Sequence, residues 1–286
     1  MSVSAPRLRA RPERMFDGYA FDLDGTVYLD DELLPGSARL LSALRELDRR
    51  VAFVSNNPTR TPRQYVDKLV GLGVAVSEDE VINTVVTTVD WVLAQCPQAR
   101  VFAIAEEPLR QALAEAGVRL SEDPAEIDLV ISSFDRSLDY RKLQIAFDAL
   151  WRRPQTRWVA TNPDPYCPTA DGGQPDAAAV TAALEACTGR RCELHLGKPG
   201  RPMMDTVTRR LGLAPERCVM VGDRLYTDLA GAEAAGMAGA VVLTGETDEQ
   251  ALARCSAEER PDFVLARIDE LLPDAEWQRR GWGTLP

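Results

Sequence analysis

Histidine is almost absent from this sequence of 286 residues, which contains one, His195. A single histidine excludes histidine phosphatases and dinuclear metallophosphatases that need several His ligands. A Ser-His-Asp hydrolase would have to use His195, and the sequence has no GxSxG motif to supply the serine. We interpret His195 as a structural residue on a predicted strand.

Paired cysteine motifs are also lacking, because the six cysteines form no CxxC pair and no zinc-binding spacing. The cysteine phosphatase signature HCxxxxxR is absent too. Scattered cysteines without pairing indicate reduced thiols, as in a cytoplasmic protein. They are Cys96, Cys167, Cys187, Cys192, Cys218 and Cys255.

Long apolar segments are missing from the sequence. No run approaches the roughly 20 apolar residues that a membrane-spanning helix needs. The basic N-terminal stretch has no apolar core of the kind found in a secretory signal. We therefore expect a cytoplasmic protein that does not bind a membrane, with residues 1–14 as a flexible tail.

Basic residues are outnumbered, with 33 Lys and Arg against 44 Asp and Glu and a net charge of −11. Nucleic acid binding needs clustered cations to meet the phosphate backbone, so nucleic acid is not expected as a partner. A local basic pocket for a small phosphorylated ligand remains compatible with this balance.

Short apolar runs alternate with helical patterns along the chain, and this alternation predicts a parallel sheet covered by helices. The predicted strands are Gly18–Leu23, Val51–Ser55, Val101–Ile104, Leu129–Ser132, Trp158–Thr161, Leu194–Leu196, Val219–Gly222, Ala240–Leu243 and Phe263–Leu265. The predicted helices are Ser37–Asp48, Thr61–Leu72, Glu107–Ala116, Tyr140–Trp151, Ala177–Cys187, Pro202–Leu211, Thr227–Ala235 and Asp248–Arg254.

Residues typical of a functional site occur near both ends of the chain, at 22–57 and 198–228, while the middle has its own α/β pattern. This arrangement predicts an inserted domain, residues 86–191, within a core made of residues 15–85 and 192–286. The hinges are expected near Asn83–Thr88 and Gly189–Cys192.

The stretch "YAFDLDGT" places two acids, Asp22 and Asp24, at the end of an apolar strand. Ligands of open α/β sheets bind at the carboxyl ends of the strands. Two neighbouring carboxylates repel each other unless a proton or cation compensates, and Mg²⁺ prefers such oxygen ligands. Gly25 lets the chain turn beside a ligand, and Thr26 is expected to hold that turn by a local bond.

Two further stretches carry groups that suit a phosphate. In "FVSNNP", Ser55 offers a hydroxyl at a strand end, and Asn56 and Asn57 lie in a turn whose N–H groups can face an anion. In "LGKPG", Lys198 is held between glycine and proline, although this stretch lacks the Walker A spacing.

The stretch "VMVGDRLYTD" repeats the pattern of a strand followed by an acid. Asp223 at the strand end could complete a metal site with Asp22. Asp228 could orient Lys198 or Asp223. Arg224 and Thr227 either contact substrate or belong to a surface loop.

Taken in order, these four stretches resemble the motifs of a haloacid dehalogenase-superfamily phosphatase. "DLDGT" resembles the first motif, Ser55 the second, Lys198 the third and "GDRLYTD" the fourth. The middle segments "VISSFDRSLDYRKL" and "WVATNPDPYCPTADGG" resemble the class IIA, NagD-like branch. The resemblance implies a Rossmann-like three-layer core, an inserted α/β cap of the C2 type and a homodimer formed through that cap.

The resemblance also implies a mechanism. Asp22 attacks phosphorus and forms an aspartyl-phosphate, while Asp24 acts first as acid and then as base. Mg²⁺ is held by Asp22, the Asp24 carbonyl and Asp223. Ser55 and Lys198, together with the Asn56 amide, stabilise the phosphoryl group.

In the cap, Asn162 and Asp164 are either leaving-group contacts or parts of an ordinary turn. We expect a Mg²⁺-dependent phosphatase acting on a sugar, polyol or nucleoside monophosphate. The alternatives are a phosphotransferase such as a phosphomutase, and a catalytically silent module that senses a phosphometabolite.

The tryptophans receive two predictions. Trp91, Trp151 and Trp158 are expected to pack inside the cap. Trp277 and Trp282 could form a docking or dimer surface.

Overall fold

The computed structural model describes residues 10–169, 172–256 and 259–283. The chain divides into two compact units. Unit 1 contains the described residues up to Val54, Val66–Val81 and the described residues from Val207 onward. Unit 2 contains Ser55–Tyr65 and Ile82–Thr206. Within the described ranges, no helix is both long and apolar enough to cross a membrane.

The described strands are numbered in chain order. They are β1 Gly18–Asp22, β2 Tyr28–Leu29, β3 Glu32–Leu33, β4 Arg50–Ser55, β5 Val81–Asn83, β6 Arg100–Ile104, β7 Arg119–Leu120, β8 Leu129–Ser132, β9 Arg157–Ala160, β10 Tyr166–Thr169, β11 Gly172–Pro175, β12 Cys218–Gly222, β13 Ala238–Val242 and β14 Phe263–Leu265.

The described α-helices are numbered in the same way. They are α1 Ser37–Glu46, α2 Pro62–Gly71, α3 Thr84–Gln95, α4 Glu107–Glu115, α5 Tyr140–Arg152, α6 Ala177–Thr188, α7 Arg201–Leu211, α8 Ala230–Ala235, α9 Glu249–Arg254 and α10 Asp274–Arg279.

A six-stranded sheet in the order β14-β13-β12-β1-β4-β5 forms the framework of the acids predicted for the site. Strand β1 lies near its middle and pairs in parallel with both β12 and β4. The side chains of Tyr19 and Phe21 on β1 are fully buried. Such a continuous buried run is typical of a parallel strand covered on both faces. The predicted α/β fold class is confirmed.

Unit 2 has its own parallel sheet, in the order β7-β6-β8-β9. Alternate residues of β6 enter two separate apolar clusters: Val101 and Ala103 pack with α3 and α4, whereas Phe102 and Ile104 pack with α5 and α6. Because successive side chains of a strand point to opposite faces, the unit has three layers, helices on either side of a sheet.

Unit 2 contains the whole predicted cap segment, residues 86–191, together with residues 55–65, 82–85 and 192–206. The assignment of these segments to a cap and a core stays a prediction. The predicted tail covers residues 1–14, and residues 1–9 of it lie outside the described residues. Its described part contacts unit 1, because the Ala10 carbonyl accepts a hydrogen bond from the Val264 N–H at 3.0 Å and Arg11 pairs with Glu270.

Helix α3 was not predicted, and it contains all but the first residue of the hinge expected near Asn83–Thr88. Its sequence, "TVVTTVDWVLAQ", is rich in β-branched residues that favour strands. The Asn83 side chain accepts a hydrogen bond from the Val86 N–H at 3.1 Å and so caps the helix. Val85 and Val92 pack against the sheet of unit 2, so tertiary packing outweighs the local preference.

The predicted strand Leu194–Leu196 is wrong. Only His195 forms a bridge in this segment, opposite Ala160, so pairing is too short for a strand. Burial lowers the pKa of His195, in agreement with a structural role for this residue.

The expectations for the tryptophans hold in part. Trp158 is fully buried between the layers of unit 2, but Trp151 is 61% exposed and stacks on Phe147. Trp277 is 1% exposed, and its ring lies under the guanidinium group of Arg39. The Cζ atom of Arg39 is 4.1 Å from the centre of that ring. A buried ring cannot serve as the predicted docking surface.

The N-terminus of α5 gives a prediction about stability. The Asp139 carboxylate accepts a hydrogen bond from the Lys142 N–H at 2.8 Å. We expect Asp139→Ala to lower the free energy of unfolding by about 1 kcal/mol, whereas Asp139→Asn keeps the cap and changes stability little. Urea unfolding of the two variants tests this, and equal stability would show that the cap contributes nothing.

Candidate active site

The sheet brings two of the predicted acids to one edge. Strands β1 and β12 are parallel, with Phe21 opposite Val221. Asp22 and Gly222 are the next residues along each strand, and Asp223 follows at once. Because the carboxyl ends of parallel strands meet at the same edge, the acids of the first and fourth stretches lie together.

Asp22, Asp223 and Asp228 form the acidic cluster of unit 1. One carboxylate oxygen from each lies within 4.8 Å of the others. Asp223 and Asp228 are both 3% exposed, and Asp22 is half-buried. Burial, and then the charges of Asp22 and Asp228, raise the pKa of Asp223 to about 7. Three carboxylates so close together need a compensating positive charge.

The hydrogen bonds of Asp223 indicate where that charge would be. Its Oδ2 atom accepts a hydrogen bond from the Glu246 N–H at 2.7 Å. Its Oδ1 atom is buried and has no hydrogen-bond partner among the described residues. A buried carboxylate oxygen without a donor is costly, and a hard divalent cation would satisfy it. The residues of the cluster therefore fit Mg²⁺.

Two glycines allow the chain to pass close to Asp223. A Cβ atom on Gly25, which has φ 86°, would lie 2.7 Å from Asp223 Oδ2. A Cβ atom on Gly245 would lie 2.0 Å from the same oxygen. The Thr244 hydroxyl also donates to the Gly25 carbonyl at 2.7 Å. Glycine is thus required at both positions, which supports the predicted role of Gly25 as a supporting residue.

The expected local bond of Thr26 is made by its main-chain N–H, which donates to the Leu23 carbonyl at 3.3 Å, and not by its side chain. Its hydroxyl is buried and has no hydrogen-bond partner within the described part of the chain. The turn is held by main-chain bonds instead, from the Gly25 N–H to the Tyr28 carbonyl at 2.8 Å and from the Val27 N–H to the Leu23 carbonyl at 2.9 Å. With the main chain closing the turn, the Thr26 hydroxyl is not needed there.

Asp24 differs from its neighbour two residues earlier. It is exposed at the turn after β1, and its Oδ2 atom accepts a hydrogen bond from the Tyr28 hydroxyl at 3.3 Å. An exposed carboxyl group at the mouth of the acidic cluster is accessible to a ligand.

A π-helical turn, Leu225–Leu229, follows β12 and carries Asp228 into the cluster. The Asp228 Oδ2 atom accepts a hydrogen bond from the Arg224 N–H at 3.1 Å, and the Arg224 side chain pairs with Glu246 at 3.0 Å. Thr227 is 2% exposed. Neither Arg224 nor Thr227 therefore belongs to a surface loop. Single π turns occur often at functional sites.

The remaining predicted residues lie in unit 2. The Ser55 hydroxyl is 3.1 Å from the Tyr65 hydroxyl and accepts a hydrogen bond from the Asn57 N–H at 3.2 Å. The Asn57 side chain accepts from the Thr59 N–H at 2.8 Å, so it stabilises its own turn.

Lys198 of unit 2 is 2% exposed and directly contacts Asn56. Asn162 and Asp164 are fully or almost fully buried and hydrogen-bond to each other at 2.9 Å. Asn162 and Asp164 are thus parts of a buried hydrogen-bond network, and a contact of either with a leaving group stays a prediction.

A cavity of about 680 Å³ in unit 1 lies away from these acids. Leu225, Leu229, Met237, Arg254 and Asp262 are among its lining residues. Neither Asp22 nor Asp223 lines it, so it is not the cleft that the acids would use.

Several residues that contribute to the site were not predicted from the sequence. Thr244, Gly245 and Glu246 follow the apolar strand β13, and this position after a strand end was the signal that could have identified them. Asp228 was expected only to orient other groups, but it is a member of the acidic cluster.

Comparison with known proteins gives two family matches. Residues 19–119 match the family described as haloacid dehalogenase-like hydrolase, and residues 195–271 match the one described as HAD-hydrolase-like. Together the matches cover both ends of the chain and all four predicted motifs.

Individual relatives are similar to this protein over nearly the whole chain. The 5'-nucleotidase YutF of Bacillus subtilis is 32% identical, over 91% of this chain and 99% of that protein. Sugar-phosphatase AraL of the same organism is 30% identical, over 91% of this chain and 93% of that protein. The crystal structure of 4-nitrophenylphosphatase from Thermotoga maritima superposes with a TM-score of 0.84 and 37% identity, over 90% of this chain and 96% of that one. The chain belongs to the haloacid dehalogenase-like hydrolase family, within the class IIA phosphatases that its motifs predicted.

Proposed function

We propose that this protein hydrolyses the phosphomonoester of a small metabolite through an aspartyl-phosphate on Asp22. The acidic cluster at the carboxyl edge of the six-stranded sheet is the observation that supports this most directly. Asp22 is the half-buried member of the cluster, whereas Asp223 and Asp228 are buried. It is therefore the carboxylate that an incoming ester can reach.

In the first step, a carboxylate oxygen of Asp22 bonds to phosphorus, and the bond between phosphorus and the ester oxygen breaks. Asp24 donates its proton to that leaving oxygen. In the second step, Asp24 takes a proton from water as the water oxygen attacks phosphorus, which releases phosphate and restores Asp22. Asp24 is exposed and lies two residues after Asp22, so its carboxyl group is accessible to the leaving oxygen and to water.

Asp22, Asp223 and Asp228 would hold Mg²⁺, together with the main-chain carbonyl of Asp24. When bound, Mg²⁺ neutralises charge on the acids and on the phosphoryl group. Gly25 and Gly245 keep the space beside Asp223 open.

We propose that Ser55, the Asn56 main-chain N–H and Lys198 stabilise the transferring phosphoryl group. Strand β4 runs parallel to β1 and ends at Ser55, and Val54 is the register partner of Asp22. A hydroxyl, an N–H and an ammonium are the donors that suit charge spread over three phosphoryl oxygens. The Asn57 side chain is not among these donors, because it hydrogen-bonds within its own turn.

We further propose that the substrate is a sugar, polyol or nucleoside monophosphate. The names of the relatives support this class, since one is a 5'-nucleotidase and another a sugar phosphatase. The hairpin β10–β11, which follows Asn162 and Asp164, is the segment proposed to face the leaving group.

Asp22→Asn tests the nucleophile. We expect kcat for 4-nitrophenyl phosphate to fall by about three orders of magnitude or more, since an amide oxygen is a poor nucleophile. Asp17→Asn is the matched control, because Asp17 precedes the opposite end of the same strand and pairs with Arg217 at 2.8 Å. Turnover retained in Asp22→Asn, measured by release of nitrophenol, would refute the assignment.

Asp223→Asn tests the metal site by thermal unfolding. Removal of one charge relieves repulsion in the cluster, so we expect this variant to unfold at a higher temperature than the wild type in chelator. Mg²⁺ at 100 times its Kd should stabilise the wild type by about 2.7 kcal/mol and the variant much less. An equal Mg²⁺-dependent shift in both proteins would contradict the assignment.

A panel of phosphorylated metabolites with Mg²⁺ and water as the only acceptor tests the reaction and its substrate. We expect inorganic phosphate to be released, with the highest kcat/KM for a small metabolite and little release from a phosphopeptide. Transfer only when a second hydroxyl compound is added would favour a phosphotransferase, and binding without turnover would favour a silent sensor.

A further inference from the structure

The side chain of Asn56 binds both main-chain polar groups of Lys198. Its Oδ1 atom accepts a hydrogen bond from the Lys198 N–H at 2.7 Å, and its Nδ2 atom donates to the Lys198 carbonyl at 3.0 Å. The same Nδ2 atom donates to Asp164 Oδ2 at 2.7 Å. A primary amide has two N–H donors, and both have partners within unit 2.

The main chain around Asn56 is fixed as well. The Asn56 carbonyl accepts a hydrogen bond from the Thr84 hydroxyl at 2.9 Å. A Cβ atom on Gly197 would lie 2.5 Å from Asn56 Oδ1 and 2.7 Å from the Thr161 carbonyl. Only glycine therefore allows the segment before Lys198 to approach Asn56 this closely.

The network continues to the base of the β10–β11 hairpin. Asn162 Nδ2 donates to Asp164 Oδ2 at 2.9 Å and to Asp176 Oδ1 at 3.1 Å. Asp164 lies just before the hairpin and Asp176 just after it, and the Asp176 N–H donates to the Pro165 carbonyl at 3.1 Å. Both ends of the hairpin are thus held by the same buried side chains.

Burial makes this network sensitive to the loss of any member. Asn162, Asp164 and Asp176 are 0%, 2% and 4% exposed. A buried polar group that loses its hydrogen-bond partner still bears the full free-energy cost of its desolvation. If one side chain of the network moves, the side chains bonded to it are therefore destabilised.

We propose that Asn56 is a positioning residue that couples Lys198 to the base of the β10–β11 hairpin through Asp164. This inference rests on the proposed function, in which Lys198 contacts the phosphoryl group and the hairpin faces the leaving group. Asn162 and Asp164 then act on the hairpin rather than on substrate. Misplacement of a catalytic group by about 1 Å can reduce the rate by roughly 100-fold, so this coupling affects turnover.

Asn56→Ala tests the coupling in the full-length protein by two measurements. We expect kcat to fall by about 10- to 100-fold with a small change in KM. We also expect faster amide hydrogen exchange, by mass spectrometry, in two separate peptides, one containing Lys198 and one containing the hairpin. Asp139→Ala is the control for lost stability alone, because it removes a helix cap of the same unit; it should leave kcat unchanged and speed exchange in these two peptides no more than in the rest of unit 2.

Asn56→Asp is a second variant of nearly the same size. The introduced carboxylate still accepts from the Lys198 N–H, but it can no longer donate to the Lys198 carbonyl or to Asp164 and it repels Asp164, so exchange should increase in both peptides and more in the hairpin peptide. In a double-mutant cycle, Asn56→Ala with Asp164→Ala should reduce kcat no further than the more harmful single change.

Three results would each overturn the coupling. They are exchange in Asn56→Ala that equals the wild-type rate in both peptides, exchange that increases in the Lys198 peptide alone, and additive effects in the cycle. The proposed function fails separately, if the wild-type protein releases no phosphate from any metabolite. The exchange measurements still decide the coupling in that case, because they need no turnover.

Discussion

Repulsion among three carboxylates is the constraint on which the candidate site depends. Asp22, Asp223 and Asp228 bring oxygens within 4.8 Å of one another, and two of the three side chains are buried. Parallel strands with a shared edge bring Asp22 and Asp223 together, and the π-helical turn after β12 adds Asp228. A divalent cation would remove the repulsion and satisfy the buried Oδ1 atom of Asp223, so the same three carboxylates that repel one another fit such a cation.

Close approach of the main chain recurs in both units and explains the positions of several glycines. Gly25 and Gly245 lie against Asp223 in unit 1, and Gly197 lies against Asn56 in unit 2. In each case a Cβ atom would overlap a polar oxygen that the proposed chemistry or positioning needs. These glycines therefore matter chiefly because they lack a Cβ atom that would overlap a functional oxygen.

The sequence was sufficient for the features that depend on local pattern. Alternating apolar runs predicted the parallel sheets, and an acid after each of two strands predicted the cluster. Helix α3 was missed because its β-branched residues favour a strand, and its cap and packing become visible only in the fold. The contact of Asn56 with Lys198 joins residues 142 positions apart, and no local pattern reports such a pairing.

In the proposed mechanism, Asp22 carries the phosphoryl group between the two steps. Mass spectrometry of protein acid-quenched during the first turnover of a phosphomonoester tests it most directly. We predict one added phosphoryl group on the peptide that contains Asp22, and its loss as free phosphate appears. Release of phosphate at the wild-type rate with that peptide never modified, or with the phosphoryl group on another residue, would contradict the claim.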